Sequence, residues 1–270
     1  MTGKEIAILV KTLSETATHP PGARPDETKG VSGKKEELRL SAEARKLAGL
    51  IDHTLLRPEA TRADIEKVCD EALRFGFAAV CVHPDWTALV ADRLRGSSVK
   101  AATVAGFPFG AAAPAIKRKE SELALCCGAA EIDMVINIGA LRSGESERVA
   151  SDIRGVVEVC HSAEAILKVI IETCYLSDPE KILACQLAQQ AGADFVKTST
   201  GLGPSGASEG DVQLMRRTVG PEMGVKAAGG IRTLAHALSM LGAGATRLGT
   251  SAGVRIMEEA ARSGDFPLYG

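Results

Sequence analysis

From Leu38 onward, short apolar runs alternate with longer stretches in which apolar residues recur at i, i+3, i+4 and i+7. The runs are Leu50–Thr54, Ala79–Val82, Ala101–Gly106, Ile132–Ile138, Ile166–Glu172, Phe195–Thr198, Val225–Ala228 and Thr246–Gly249. Their length and β-branched content predict strands, and the 3.6-residue period between them predicts helices with one buried face. Gly76, Gly128, Gly192 and Gly244 stand just before a run, where the left-handed C-terminal position of a helix favours glycine. Strands apolar on both faces belong in a parallel sheet covered by helices. Eight such units, spaced by about 30 residues, predict a (β/α)8 TIM barrel, with an open doubly wound sheet as the alternative.

The first 40 residues break this pattern. Residues 4–13 have the spacing of a short amphipathic helix, and 18–35, THPPGARPDETKGVSGKK, are rich in Pro, Gly and charge. That composition predicts an N-terminal extension or arm over 1–40, ahead of a single barrel domain over 41–270.

Composition narrows the function classes. Lys plus Arg number 32 against 34 Asp plus Glu, a net charge of -2, which argues against a phosphate-backbone binder. Aromatic residues make up 3%, too few for a base-stacking surface, so no nucleic-acid partner is expected. Seven scattered Cys without a CxxC pair predict reduced thiols, and no His/Cys cluster predicts a metal. There is no signal-like h-region and no run near the ~18 apolar residues of a membrane span, so a cytoplasmic location is expected.

In such a barrel the chemistry lies at the carboxyl ends of the strands. Lys168, Lys197 and Lys226 are embedded in the fifth, sixth and seventh apolar runs. An unpaired buried ammonium is costly, and two on neighbouring strands repel each other, so at least one pKa should fall toward neutrality. A neutral amine attacks carbonyls, which suits a Schiff-base lysine. Asp52, Asp133 and Glu172 lie in the first, fourth and fifth runs. Their carboxylates either compensate this charge or relay protons. AAGGIRT and LGTSAG follow the seventh and eighth strands, the usual place for a phosphate held by backbone N–H groups. His53, Cys81 and His83 also fall at strand ends, where packing is the ordinary role.

The runs IDHTLL, VCVHP, VAGFPFG, EIDMVINIGAL, LKVIIETCYL, GADFVKTSTG, VKAAGGIRT and RLGTSAG, in order over residues 48–253, resemble the deoxyribose-phosphate aldolase family. The resemblance implies a class I aldolase without metal or organic cofactor. Such an enzyme cleaves 2-deoxy-D-ribose 5-phosphate reversibly to acetaldehyde and D-glyceraldehyde 3-phosphate. It implies Lys197 as Schiff-base nucleophile, Lys226 as the second lysine and Asp133 as the acid/base partner. Asp52, Thr54, Cys81, Lys168 and Thr200 match the family's inner polar shell, and Gly229, Gly230, Gly249 and Ser251 its phosphate turns. Phosphosugar and aldehyde substrates follow from the same resemblance, and a homodimer or homotetramer is expected because such barrels often pair through helical faces.

Three positions depart from the pattern. Ala252 replaces a serine of the phosphate turn, where backbone donors are expected to serve instead. Leu202 stands where some members have lysine. Tyr269 is one residue short of the end, where other members carry a terminal tyrosine. Other Schiff-base barrels, transaldolase-like or keto-acid aldolases, and a non-catalytic phosphosugar-binding barrel are the competing readings.

Overall fold

The computed structural model describes residues 40–264 and 266. The predicted arm, apart from residue 40, and Tyr269 lie outside the described residues. A short helix, α1 (Ala42–Ala48), starts on the Ser41 side chain and leads into the barrel. The strands are β1 (Ile51–Leu55), β2 (Ala79–Val82), β3 (Lys100–Ala105), β4 (Glu131–Val135), β5 (Ile166–Ile170), β6 (Phe195–Lys197), β7 (Gly224–Ala228) and β8 (Arg247–Thr250). All pair in parallel in sequence order, and β8 returns to β1 to close the barrel. Between and after them run α2 (Arg62–Phe75), α3 (Thr87–Arg93), α4 (Pro114–Cys126), α5 (Ile138–Arg142), α6 (Ser146–Ser162), α7 (Asp178–Gln190), α8 (Glu209–Val219), α9 (Leu234–Gly242) and α10 (Gly253–Ser263).

Local chemistry sets the helix ends. Thr61 and Asp64 form a reciprocal capping box at the start of α2, and Ser177 with Glu180 does the same for α7. Gly76, Gly128, Gly192 and Gly244 all have positive φ, as their positions before β2, β4, β6 and β8 predict. Two strands end two or more residues before their apolar runs do. β4 stops at Val135 because the Asn137 side chain accepts the Ala140 N–H and starts α5. β5 stops at Ile170, and Glu172 turns left-handed at φ 53°.

Alternation along the strands divides the barrel wall. Ile132, Met134, Leu167, Val169, Val196, Val225 and Leu248 are buried on the outward, helix-facing side. The interior itself divides in two. Beside β2 and β3 it is small and apolar: Ala79, Cys81, Ala102 and Val104 pack with Leu56 and Phe107. Around the other strands it is charged.

One buried ion pair lies in the helix layer. Lys117 of α4 is fully buried and donates to the Val135 carbonyl at 2.9 Å and to Asp152 Oδ2 of α6 at 2.5 Å. Burial lowers the Lys117 pKa and raises that of Asp152. Lys117→Met leaves a buried carboxylate without its partner, which costs about 3–5 kcal/mol. A thermal melt should show Tm falling by about 10 °C. Lys117→Met combined with Asp152→Leu should recover most of that loss, because an apolar pair replaces the ionic one.

Candidate active site at the carboxyl ends of the strands

The register places the charged side chains on one another. Lys197 is paired with Lys226 across β6 and β7, and Asp133 with Lys168 across β4 and β5. Asp133 Oδ2 accepts from Lys197 and from Lys226, both at 2.7 Å, while its Oδ1 accepts from Lys168 at 2.9 Å. Lys226 also donates to Asp52 Oδ2 at 2.5 Å, and Asp52 Oδ1 accepts from Arg247 at 2.7 Å. Lys168 reaches Glu131 at 2.5 Å, and Arg247 reaches Glu131 at 3.4 Å. This network joins four cations, Lys168, Lys197, Lys226 and Arg247, to three carboxylates, Asp52, Glu131 and Asp133.

With every group ionised, four against three leaves one positive charge in excess, and the excess falls on Lys197. Burial lowers its pKa, Asp133 opposes that shift, and Lys226 adds to it. Burial also works against the Lys226 ammonium, but Asp133 and Asp52 outweigh it and raise its pKa. Lys168 is raised in the same way by Asp133, Asp52 and Glu131. Burial would raise the carboxyls of Asp133 and Asp52, yet the surrounding cations hold both well below the usual range. The site therefore keeps two lysines charged and makes the third the easiest to deprotonate.

Lys197 also faces a cleft. A cavity of about 270 Å³ opens above it, lined by Thr54, Thr200, Ala228, Gly229, Gly230, Gly249 and Ser251 among others. Of the residues singled out from the sequence, Thr54, Lys197, Thr200, Leu202, Gly229, Gly230, Gly249 and Ser251 reach the cavity wall. Lys226, Asp133, Asp52, Lys168 and Cys81 are fully buried and do not line it. Cys81 belongs to the apolar half of the interior, where burial pushes its thiol up to about 11. Gly249 has an interior role in addition to its place at the cavity: a Cβ there would come within 3.0 Å of Lys226 Cε, so the missing side chain makes room for that lysine. Gly229, at φ 91°, lets the loop after β6 close on the turn, with a Cβ only 2.9 Å from the Gly206 Cα. Of the backbone donors expected to serve in place of the missing serine, the Ala252 N–H is taken by Thr250 Oγ1 at 2.9 Å.

Four residues went unread in the sequence. Arg57 and Arg232 line the cavity beside the glycine turn, and Glu131 and Arg247 complete the ion network. The signals were parity and adjacency: Glu131 precedes Asp133 by two residues, Arg247 precedes Gly249 by two, and Arg232 follows the Gly-Gly pair.

Glu172 does not compensate the buried lysines. Its carboxylate turns to the loop after β6, accepting the Thr200 N–H at 3.2 and 3.3 Å and facing the Cys174 thiol at 3.7 Å. A residue held left-handed and buried in this way fixes the wall that carries Thr200. In Glu172→Ala the buried N–H loses its acceptor, at a cost of about 1–3 kcal/mol. Hydrogen-exchange protection of Thr200 should drop roughly tenfold or more, while protection in β4 stays at the parent level.

The fold and cleft define a (β/α)8 barrel with a cluster of buried amines beneath its mouth. Residues 46–259 match the family model described as DeoC/LacD family aldolase, and the chain belongs to that family. It is 58% identical over 216 residues to the deoxyribose-phosphate aldolase of Thermococcus gammatolerans, covering 79% of this chain and 96% of that one. It is 57% identical over 221 residues to the enzyme of the same name from Streptococcus gordonii, covering 82% of this chain and all of the relative. The tetrameric deoxyribose phosphate aldolase of Aeropyrum pernix superposes with a TM-score of 0.76 at 35% identity, covering 82% and 94% of the two chains.

Proposed function

We propose that this chain is a Schiff-base aldolase that cleaves 2-deoxy-D-ribose 5-phosphate reversibly to acetaldehyde and D-glyceraldehyde 3-phosphate. The observation that carries this reading is Lys197, the one lysine of the buried network that faces the cleft and whose ammonium is disfavoured. The names of the relatives supply the substrate.

In this reading neutral Lys197 attacks C1 of the open-chain aldehyde to give a carbinolamine. Asp133 and Lys226, both within hydrogen-bond reach of the same amine network, move the protons that let water leave. The resulting iminium accepts the electron pair of the C2–C3 bond as the C3 hydroxyl loses its proton. D-Glyceraldehyde 3-phosphate departs, and an enamine stays on Lys197. Protonation at C2 and hydrolysis then release acetaldehyde and the free lysine. The Gly229–Gly230 turn and Ser251, with Arg232 and Arg57 beside them, would take the phosphate on C5. A phosphate anchored there fixes C1 at the amine, so that binding also orients. Thr54 and Thr200 would contact the sugar hydroxyls, while Asp52, Lys168 and Cys81 act from beneath, through the lysines and the floor. We also take the protein to be a cytoplasmic homo-oligomer, a dimer or tetramer; the tetrameric relative supports self-association. No helix among the described residues is long and apolar enough to cross a membrane.

Trapping tests the reading. With acetaldehyde or the sugar phosphate and a borohydride reductant, peptide mapping should find the adduct on Lys197, and the sugar phosphate should release acetaldehyde. An adduct on Lys226 or Lys168 would overturn the assignment of roles. No adduct in a folded protein that binds the sugar phosphate would favour the non-catalytic barrel.

A further inference from the structure

The ion network continues past the groups that the reaction uses. Below Lys226 and Asp133, toward the amino ends of the strands, Arg247 and Glu131 close the cluster. Arg247 donates to Asp52, approaches Glu131, and lies with its guanidinium 5.6 Å from the Phe195 ring centroid. Glu131 is 2% exposed and is held by Lys168 and Arg247. Neither residue lines the cavity, so neither can touch substrate there. Glu131 is buried and the Arg247 side chain is 15% exposed, and such a largely desolvated pair is expensive unless it is matched, here by the groups above it.

We infer that Arg247 and Glu131 are positioning residues that set the protonation of Lys197 from a distance, Arg247 favouring the neutral amine and Glu131 the ammonium. The inference rests on the reading of Lys197 as the nucleophile. The path is continuous: Arg247 to Asp52, Asp52 to Lys226, Lys226 to Asp133, and Asp133 to Lys197. From the other side Glu131 holds Lys168, which holds the second oxygen of Asp133. The titratable groups packed against Lys197 are Asp133 from β4, Lys226 from β7 and Cys81 from β2, and Arg57 and Arg232 share the cavity wall with it and stay unchanged in the variants below. Arg247 supplies the fourth cation of the cluster and cannot lose its proton in the working range. Without it, three lysines would face three carboxylates and all could stay charged. Without Glu131, four cations would share two carboxylates, and the amine held by one carboxylate, Lys197, would give up its proton first.

The size of the effect follows from the register. Lys197, Lys226 and Arg247 occupy paired positions on three consecutive strands. Two strand spacings put the Lys197 and Arg247 backbones about 10 Å apart, and charges at a similar separation set the scale. At an effective dielectric constant of about 20, a unit charge at that distance moves a pKa by about one unit.

The experiment measures the rate at which acetaldehyde and cyanoborohydride label Lys197, read by peptide mass spectrometry across pH. In the parent the rate rises with pH as Lys197 deprotonates. Arg247→Gln should move that limb up by about one pH unit, and Glu131→Gln should move it down by a similar amount. The double variant should return to the parent limb, and Arg247→Lys should stay there. Superimposable profiles, or two single variants shifting in the same direction, would overturn the inference. If Arg247→Gln does not fold, the near-isosteric Glu131→Gln with its downward shift and the charge-conserving Arg247→Lys still decide. A parent that is never labelled on Lys197 overturns the nucleophile reading and this inference with it. Labelling without the opposed shifts overturns this inference alone.

Discussion

Lys197→Leu is expected to abolish turnover and yet melt above the parent. The loss of activity is large because no other amine at the cleft can take over. Lys226 and Lys168 are held charged by two and three carboxylates, and neither reaches the cavity. In the proposed mechanism Lys197 is the nucleophile, and removing the nucleophile of a covalent catalyst costs on the order of 10⁴-fold or more. The gain in stability comes from the same charge count. Deleting Lys197 leaves three cations with three carboxylates, and the aliphatic part of its volume is kept. Lys197 is a base whose folded pKa lies below its unfolded value. It therefore destabilises the fold fully at pH below the folded pKa, and the penalty fades as pH rises toward the unfolded value near 10.4. A rise in Tm of a few degrees at neutral pH, shrinking as the buffer approaches pH 10, is the expected signature. An unchanged or lower Tm at neutral pH would show that Lys197 is balanced in the folded state, and the trade between stability and activity would fail with it.

The barrel was readable because its signal repeats. Eight apolar runs with period-3.6 stretches between them leave few other ways to bury both faces of each strand. The buried lysines were readable because a cation inside a both-sides-apolar strand conflicts with its surroundings, and such conflicts mark candidate functional sites. What stayed hidden depends on pairing between distant residues. Nothing local in TRLGT says that Arg247 meets Asp52, nearly 200 positions earlier. That contact exists only once β8 closes on β1. Glu172 misled for a different reason. Its place four residues after Lys168 in the same apolar run would put both on one face only while the strand continues, and the strand ends at Ile170. Its carboxylate then serves the next loop. At Ala252 the hydroxyl of Thr250 captures the donor, a local bond that composition does not announce. Cys81 shows a milder version of the same limit: the resemblance set it in an inner polar shell, and the structure packs it with Ala79, Ala102 and Val104 in the apolar half of the interior.

Asp133→Asn is expected to lose both stability and activity, the opposite combination on the first count from Lys197→Leu. The carboxylate holds three lysine ammoniums with two oxygens and is fully buried. An amide of the same shape offers one acceptor, and its N–H₂ points a donor at donors. The cluster becomes four cations against two carboxylates. Breaking a buried ionic unit in this way costs about 3–5 kcal/mol, so Tm should fall by about 10 °C. Activity should fall by roughly 10²–10⁴-fold even in the folded fraction, because the proton transfers of carbinolamine formation and dehydration lose their nearest carboxylate. The pH dependence separates charge from shape. Asp133 is an acid whose folded pKa lies well below its unfolded value near 3.9. Its stabilisation is complete above that unfolded value and is lost as pH falls through the folded pKa. The gap in Tm between parent and Asp133→Asn should therefore be widest from about pH 5 upward and narrow in strong acid. A gap that is constant with pH would mean that the amide fails through shape alone. Asp133 would then be a packing residue rather than the charge on which the three lysines converge.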